Sequence, residues 1–210
     1  MPLSIEQTRE MLLYVAKRVI ENKQLLTEKD SAIGDGDHGT GMAAGFGKVI
    51  EKLTDMQAGT INELFTATGR TLISTMGGAS GIIFGTMFHG GTKSMASMAE
   101  MDERSFADLF FFSLKAIKER GGAEPGDKTM VDAFEPAAMS MRQDPTPGFP
   151  AMLERAAAAA KAGMERTKDL VAKYGRAKSL MERSIGHEDP GAVSVWIIFQ
   201  AMHAYAAENL

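Results

Sequence analysis

The chain has 210 residues, 44% hydrophobic and 24% charged, with a net charge of −4 and no cysteine. That length buries a substantial core, and a single domain over residues 1–210 is the expectation. The acidic balance leaves no basic footprint for nucleic acid, and the lack of cysteine excludes disulfides, zinc–thiolate sites and cysteine nucleophiles.

The N-terminal stretch "MPLSIEQTREMLLYVAKRVIENK" has no uninterrupted apolar core, so it reads as neither a signal peptide nor a membrane span. No later stretch reaches the roughly 18 apolar residues of a spanning helix. A cytoplasmic protein without a membrane partner is expected. Ser4 and Gln7 fit a capping box, and Leu12, Val15, Ala16, Val19 and Ile20 follow as an apolar stripe at helical spacing. A second helix is expected from about Gly39 to Leu53, broken by "TDMQAGT". Thr60 and Glu63 form another capping box, starting a third helix that ends near Met76. After "GGASG" at 77–81 a fourth helix is expected to run to about Ala99. Ser105 opens a fifth through "FADLFFFSLKAIKER", stopped by Gly121 and Gly122, and a sixth covers about Thr129 to Arg142.

"QDPTPGFP" is the clearest breaker in the chain. A seventh helix at about 150–173 has very high helix propensity through "AAAAA". "AVSVWIIFQAMHAYAAE" reads as the eighth; "VSVWIIF" alone suits a buried strand, but the length and the alanines favour helix. No strand–turn–strand signal occurs elsewhere. The 16 methionines read mainly as adaptable core filler. The fold class is therefore all-α, an eight-helix antiparallel up-and-down bundle or barrel.

That topology places alternate connections at the same end. "DSAIGDGDHG", "GGASG", "GGAEPGDK" and "GRAKSLMERSIGHEDPG" then share one end and hold most of the clustered glycines and acids. The connections near 54–59, 100–104 and 143–149 are plain polar turns. An echo, I-G-x-x-D-x-G, joins 33–39 to 185–191. One end of the bundle is the expected ligand site.

Asp30, Asp35 and Asp37 place three carboxylates just ahead of a helix. Carboxylates without cysteine suit hard cations such as Mg²⁺, Mn²⁺ or Ca²⁺. An EF-hand counted from Asp35 would need glutamate where Phe46 stands, and no P-loop pattern is present. A metal held together with a phosphate fits, because Gly39 and Gly41 would let backbone N–H groups approach an anion at the helix start. An acidic turn with an aspartate cap is the alternative. "GGASG" suits either close helix packing or a ligand, and "PGDKT" reads as a helix start capped by Asp127. Arg176 and Arg183 suit phosphate charge; His38 suits a cap, a ligand or a stacking role; His89 and His187 read as structural.

"GDGDHGTGM", "GGASG", "AEPGDKTM" and "ERSIGHEDPGAVS", in this order and spacing, resemble the nucleotide-binding L subunit of dihydroxyacetone kinase (DhaL) over essentially the whole chain. The resemblance implies an eight-helix antiparallel barrel binding ADP or ATP at one end through Mg²⁺. It implies that Asp30, Asp35 and Asp37 hold two Mg²⁺ ions, with His38, Gly39, Thr40 and Gly41 at the phosphate-binding helix start. Ala79 and Ser80 would form a second nucleotide loop, Gly121 and Met130 the purine side, and Arg176, Asp189, Pro190 and Gly191 the closure of the site.

No catalytic side chain is singled out, since phosphoryl transfer rests on positioning and charge neutralisation. The family's ketose is held by a separate K subunit, so this chain is expected to act as a kinase subunit only with that partner. In phosphotransferase-dependent versions ADP is a retained cofactor recharged by a phosphohistidine donor subunit. Gly41 stands where such members often carry asparagine, which leaves open an ATP-dependent branch acting on erythrulose. A metal-dependent phosphoanhydride hydrolase and a non-enzymatic helical interaction protein are the rival readings. Self-association into a homodimer, the ketose and the phosphoryl donor stay open.

Overall fold

The computed structural model describes residues 2–144 and 148–210. Among them are nine α-helices: α1 (Ile5–Glu21), α2 (Lys23–Ile33), α3 (His38–Thr54), α4 (Ile61–Met76), α5 (Gly78–His89), α6 (Glu103–Gly121), α7 (Val131–Gln143), α8 (Phe149–Arg166) and α9 (Pro190–Asn209). Two two-residue strands, β1 (Leu3–Ser4) and β2 (Glu100–Met101), pair antiparallel. No helix among the described residues is long and apolar enough to cross a membrane.

The α1 cap forms as the sequence predicts. The Ser4 hydroxyl accepts from Gln7 N–H at 3.2 Å, and Gln7 Oε1 accepts from Ser4 N–H at 3.0 Å. The first helix is broken where no break was expected. Asn22 Nδ2 and its backbone N–H both donate to the Arg18 carbonyl, which ends α1 and lets α2 start in a new direction. The fifth predicted helix begins earlier than Ser105, because Asp102 accepts the Ser105 N–H at 2.8 Å and is the cap.

Two predicted helices were drawn too long. The fourth ends at His89, where a 3-10 turn (Gly91–Ser94) leads to β2, and the seventh ends at Arg166 before a second short turn (Thr167–Asp169). Helix propensity alone does not detect these ends; the chain must turn back to keep each helix against its neighbour. At the breaker "QDPTPGFP", Pro145, Thr146 and Pro147 lie outside the described residues.

Taking α1 and α2 as one broken rod, each helix packs on the next, and α9 packs on α1 to close the ring. Phe46, Phe65, Phe106, Phe110, Phe134 and Phe199 are all fully buried inside it. Phe110 has Phe65, Phe106, Phe134 and Phe199 around it, with centroids 5.0–6.1 Å away. Nine of the methionines are buried in the same core, as their filler role predicts. At the far end, Arg9 of α1 donates to the Leu53 and Met56 carbonyls at 2.6 Å each, satisfying the C-terminal end of α3.

Candidate functional site

The closed ring gathers four connections at one end: 34–37 after α2, Gly77 after α4, 122–130 after α6 and 167–189 after α8. Together with the helix ends they line a cavity of about 870 Å³. This is the end the sequence marks. The N-termini of α3, α5, α7 and α9 all border this cavity, so their orphan N–H groups bring positive partial charge to its wall.

Asp30, in the last turn of α2, is buried, while Asp35 and Asp37 stand exposed on the connection. Carboxylate oxygens of all three lie within 4.8 Å of one another. Gly34 makes that approach possible, since a Cβ there would sit 2.2 Å from Asp30 Oδ1. Asp30 Oδ2 accepts the His38 N–H at 3.1 Å, which fixes the carboxylate against the start of α3. Arg176 Nη2 reaches across from the α8–α9 connection to Asp35 at 2.8 Å and Asp37 at 3.9 Å. Three crowded carboxylates with only hard oxygen donors suit a Mg²⁺-type cation.

His38 is buried, with Nε2 2.7 Å from Ser194 Oγ. Ser194 Oγ also lies 3.1 Å from the Pro190 carbonyl, so the ring is anchored to the first turn of α9. Burial holds the imidazole below its usual range, against the pull of Asp30 and Asp37. Its ring also meets Phe84 at 5.8 Å. Beside the cap, ligand and stacking roles expected of it, His38 thus ties α3 to α9 in the cavity wall.

Thr40, Gly41, Ala79, Ser80, Gly121, Met130, Arg176, Asp189, Pro190 and Gly191 all line the cavity, as do the three aspartates and His38. Gly39 does not. A Cβ on it would lie 2.3 Å from both the Lys23 carbonyl and Thr27 Oγ1, so Gly39 is where α3 crosses the first turn of α2. Its missing side chain therefore serves that helix crossing. Gly41, by contrast, faces open space. Gly77 and Gly78 have φ of 66° and 55°, a left-handed pair that turns α4 sharply into α5 at the cavity edge.

Asp127 is not the α7 cap. Its Oδ2 accepts Glu124 N–H at 2.8 Å and its Oδ1 pairs with Lys173 at 2.7 Å, and that lysine holds the carboxyl below its usual range. The N-cap is Met130, with no side-chain cap, and Asp132 in the first turn of α7 instead accepts from the Gly126 and Thr129 N–H groups of the connection.

Lys128 is a cavity residue that no local pattern singles out. It lines the cavity at 2% exposure with φ 59°, and its Nζ donates to the Thr167 and His187 carbonyls at 2.5 and 2.6 Å. Burial lowers its pKa, opposed by Asp189 and Asp132. Tyr174 Oη donates to the Gly122 carbonyl at 2.8 Å, a second tie between the same two connections. Glu188 bridges Lys29 at 2.6 Å and Lys168 at 3.0 Å; burial pushes its carboxyl up, but the two lysines outweigh it and hold it low.

Asp189 caps α9, accepting Ala192 N–H at 2.8 Å, and burial pushes its carboxyl up to about 7. A carboxyl raised on folding contributes stability that is complete below its unfolded value, near 4, and is lost as pH rises through about 7. Asp189→Asn keeps the cap and removes the ionisation. In metal-free protein the variant is expected to gain on the wild type between pH 5 and pH 8 in urea unfolding; parallel pH profiles would count against the assignment.

An all-α ring with three converging carboxylates and four helix N-termini around one cavity has the features of a site for a cation and an anion together. A family model described as the DAK2 domain matches residues 32–204. The chain is 40% identical over 187 residues to the ADP-binding subunit DhaL of the PEP-dependent dihydroxyacetone kinase of Escherichia coli, covering 88% of this chain and 89% of that one. It is 39% identical over 186 residues to the corresponding subunit of kinase 1 of Listeria innocua, covering 89% of each. The crystal structure of the dihydroxyacetone kinase of C. freundii in complex with AMP-PNP and Mg²⁺ superposes with a TM-score of 0.75 at 27% identity, over 97% of this chain and 34% of that one. The chain belongs to the DAK2-domain family, with the DhaL subunits of dihydroxyacetone kinase.

Proposed function

We propose that this chain is the ADP-binding subunit of a kinase for a small ketose such as dihydroxyacetone. The observation that carries the reading is the gathering of Asp30, Asp35 and Asp37 in a large cavity also lined by Ile82, Ile83, Phe84, Ile117 and Met130. Asp30, Asp35 and Asp37 would hold two Mg²⁺ ions. Bound there, Mg²⁺ neutralises phosphate charge.

The N–H groups of Gly39 and Thr40, in the first turn of α3, have no intrahelical acceptor and favour a phosphate oxygen. Gly41 leaves room for it, and Ala79 and Ser80 at the start of α5 offer a second phosphate-facing edge. Met130 and Gly121, with Ile83 and Ile117, suit a purine face. Pro190, Gly191 and Asp189 close the site from the start of α9. Arg176, reaching over the mouth, would shift its charge towards a transferring phosphoryl group.

The ketose would be carried by a separate K subunit, for which Met181 and Ile185, exposed on the same connection as Arg176, offer apolar contacts. ADP would be retained as a cofactor and recharged by a phosphohistidine donor of the phosphotransferase type. The names of the E. coli and L. innocua relatives, ADP-binding subunits of PEP-dependent kinases, support this mode.

Native mass spectrometry of the purified chain tests the reading. Co-purified ADP with two Mg²⁺ is the expected result, with negligible ATP turnover until a K subunit is added. Empty protein exchanging ATP freely would point to the ATP-dependent mode. Steady ATP hydrolysis by the isolated chain would overturn the subunit reading in favour of a hydrolase.

A further inference from the structure

A second cavity, of about 560 Å³, opens on the outer wall between α5 and α6, bounded at one end by the 3-10 turn Gly91–Ser94. Its lining includes His89, Lys93, Lys115, Glu119 and Arg120. His89 is more than nine-tenths buried, and its ring is bonded to no other residue. Among the described residues, Lys93, Lys115 and Arg120 form no ion pair, and neither does Arg70, whose charge also reaches the imidazole. Lys115 lies over the Phe111 ring at 5.3 Å. Glu119 is the one carboxylate in the lining and pairs with none of these cations.

Burial first, and then Lys93, Arg70 and Arg120, hold the His89 imidazole low, against its own backbone carbonyl. Elsewhere on this acidic chain, Lys29, Lys118, Lys168 and Lys173 all meet carboxylates. Several cations lining one concavity repel one another unless an anion joins them.

We propose that this groove binds a phosphate group, free or as the monoester of a small molecule. Two ammonium groups and a guanidinium offer enough donors for the several oxygens of a phosphate, more than one carboxylate would use. The volume is that of a small-molecule site rather than a flat docking face. The site shares only Arg120 with the lining of the nucleotide cavity and uses none of the residues given a role there. It therefore stands or falls independently of the proposed kinase function.

The test uses the full chain saturated with Mg–ADP, so that phosphate does not report on the larger cavity. Inorganic phosphate and glycerol phosphate are titrated separately, against sodium chloride at matched ionic strength. A saturable rise in Tm of about 3–6 °C at ten times Kd is expected beyond the chloride control. The His89 ring resonances should move with the same saturation in NMR. The double variant Lys93→Ala/Lys115→Ala changes two exposed side chains. It should lose the phosphate response and keep the Mg–ADP response. Tighter binding of glycerol phosphate identifies a monoester as the ligand, and tighter binding of inorganic phosphate identifies the free ion. A response no larger than chloride, an unmoved His89 signal, or an undiminished response in the double variant overturns the proposal.

Discussion

Asp35→Ala is expected to weaken Mg²⁺-dependent ADP binding by roughly 100-fold or more, about 3 kcal/mol, while the helical fold is kept. Asp35 and Asp37 stand on an exposed connection and contribute nothing to the core. Removing either leaves the packing intact and deletes one of three converging oxygen donors. Arg176 loses its 2.8 Å partner in Asp35→Ala, an exposed ion pair of little worth to stability. Circular dichroism should therefore be unchanged, and calorimetric titration should show the loss. The effect should vanish when EDTA replaces Mg²⁺, since both proteins then lack the metal-dependent term. Asp30→Ala is a poorer probe, because the buried carboxylate also holds the His38 N–H and its loss leaves that donor unpaired. Tight Mg–ADP binding by both Asp35→Ala and Asp37→Ala would sink the assignment of the metal ligands.

Gly39→Ala is expected to cost about 3 kcal/mol of stability, a fall in Tm of roughly 6–12 °C. The added methyl would meet the Lys23 carbonyl and Thr27 Oγ1 at 2.3 Å, and the Thr27 backbone nitrogen at 2.6 Å. Much of what it strikes is backbone of the α2 first turn, so no rotamer change can relieve the contact. The two helices must separate, and with them Asp30 and the start of α3.

Gly41→Ala, two residues on, should do the reverse. Nothing lies within 4 Å of its added methyl, so helix propensity should stabilise the chain by about 0.5–1 kcal/mol. That methyl points into the nucleotide cavity, and Mg–ADP affinity should fall. Paired thermal unfolding and calorimetry on the two variants separate a packing glycine from a ligand-facing one. Equal stability losses in both would contradict the geometry.

Most of the helices and the position of the site were legible in the sequence, because the signals involved are local. A capping box at Ser4, a cap at Thr60, and paired glycines after α4 and α6 each act within a few residues. The clustered aspartates are likewise neighbours in the chain, and up-and-down connectivity sufficed to bring the other three loops beside them. Helix ends fared worse where the local pattern carried on. In "FHGGTKSMASMA" the paired glycines after His89 are a local stop that the longer helix runs through, whereas "KAGMERTKDLVAK" reads as helical well past Arg166.

By itself, the sequence determined an all-α chain, its caps and breakers, and a group of acidic and glycine-rich loops belonging to one end. These follow from interactions between residues three or four apart, which any stretch of chain carries within itself. Only the tertiary structure decided that the ring closes through α9 on α1, and that Gly39 serves a helix crossing while Gly41 faces the open cavity. It also decided that Lys128 is drawn inside to bind two carbonyls from 39 and 59 residues away. In each case the deciding partner is distant in the chain, so its identity is invisible to periodicity and becomes definite only when the helices pack.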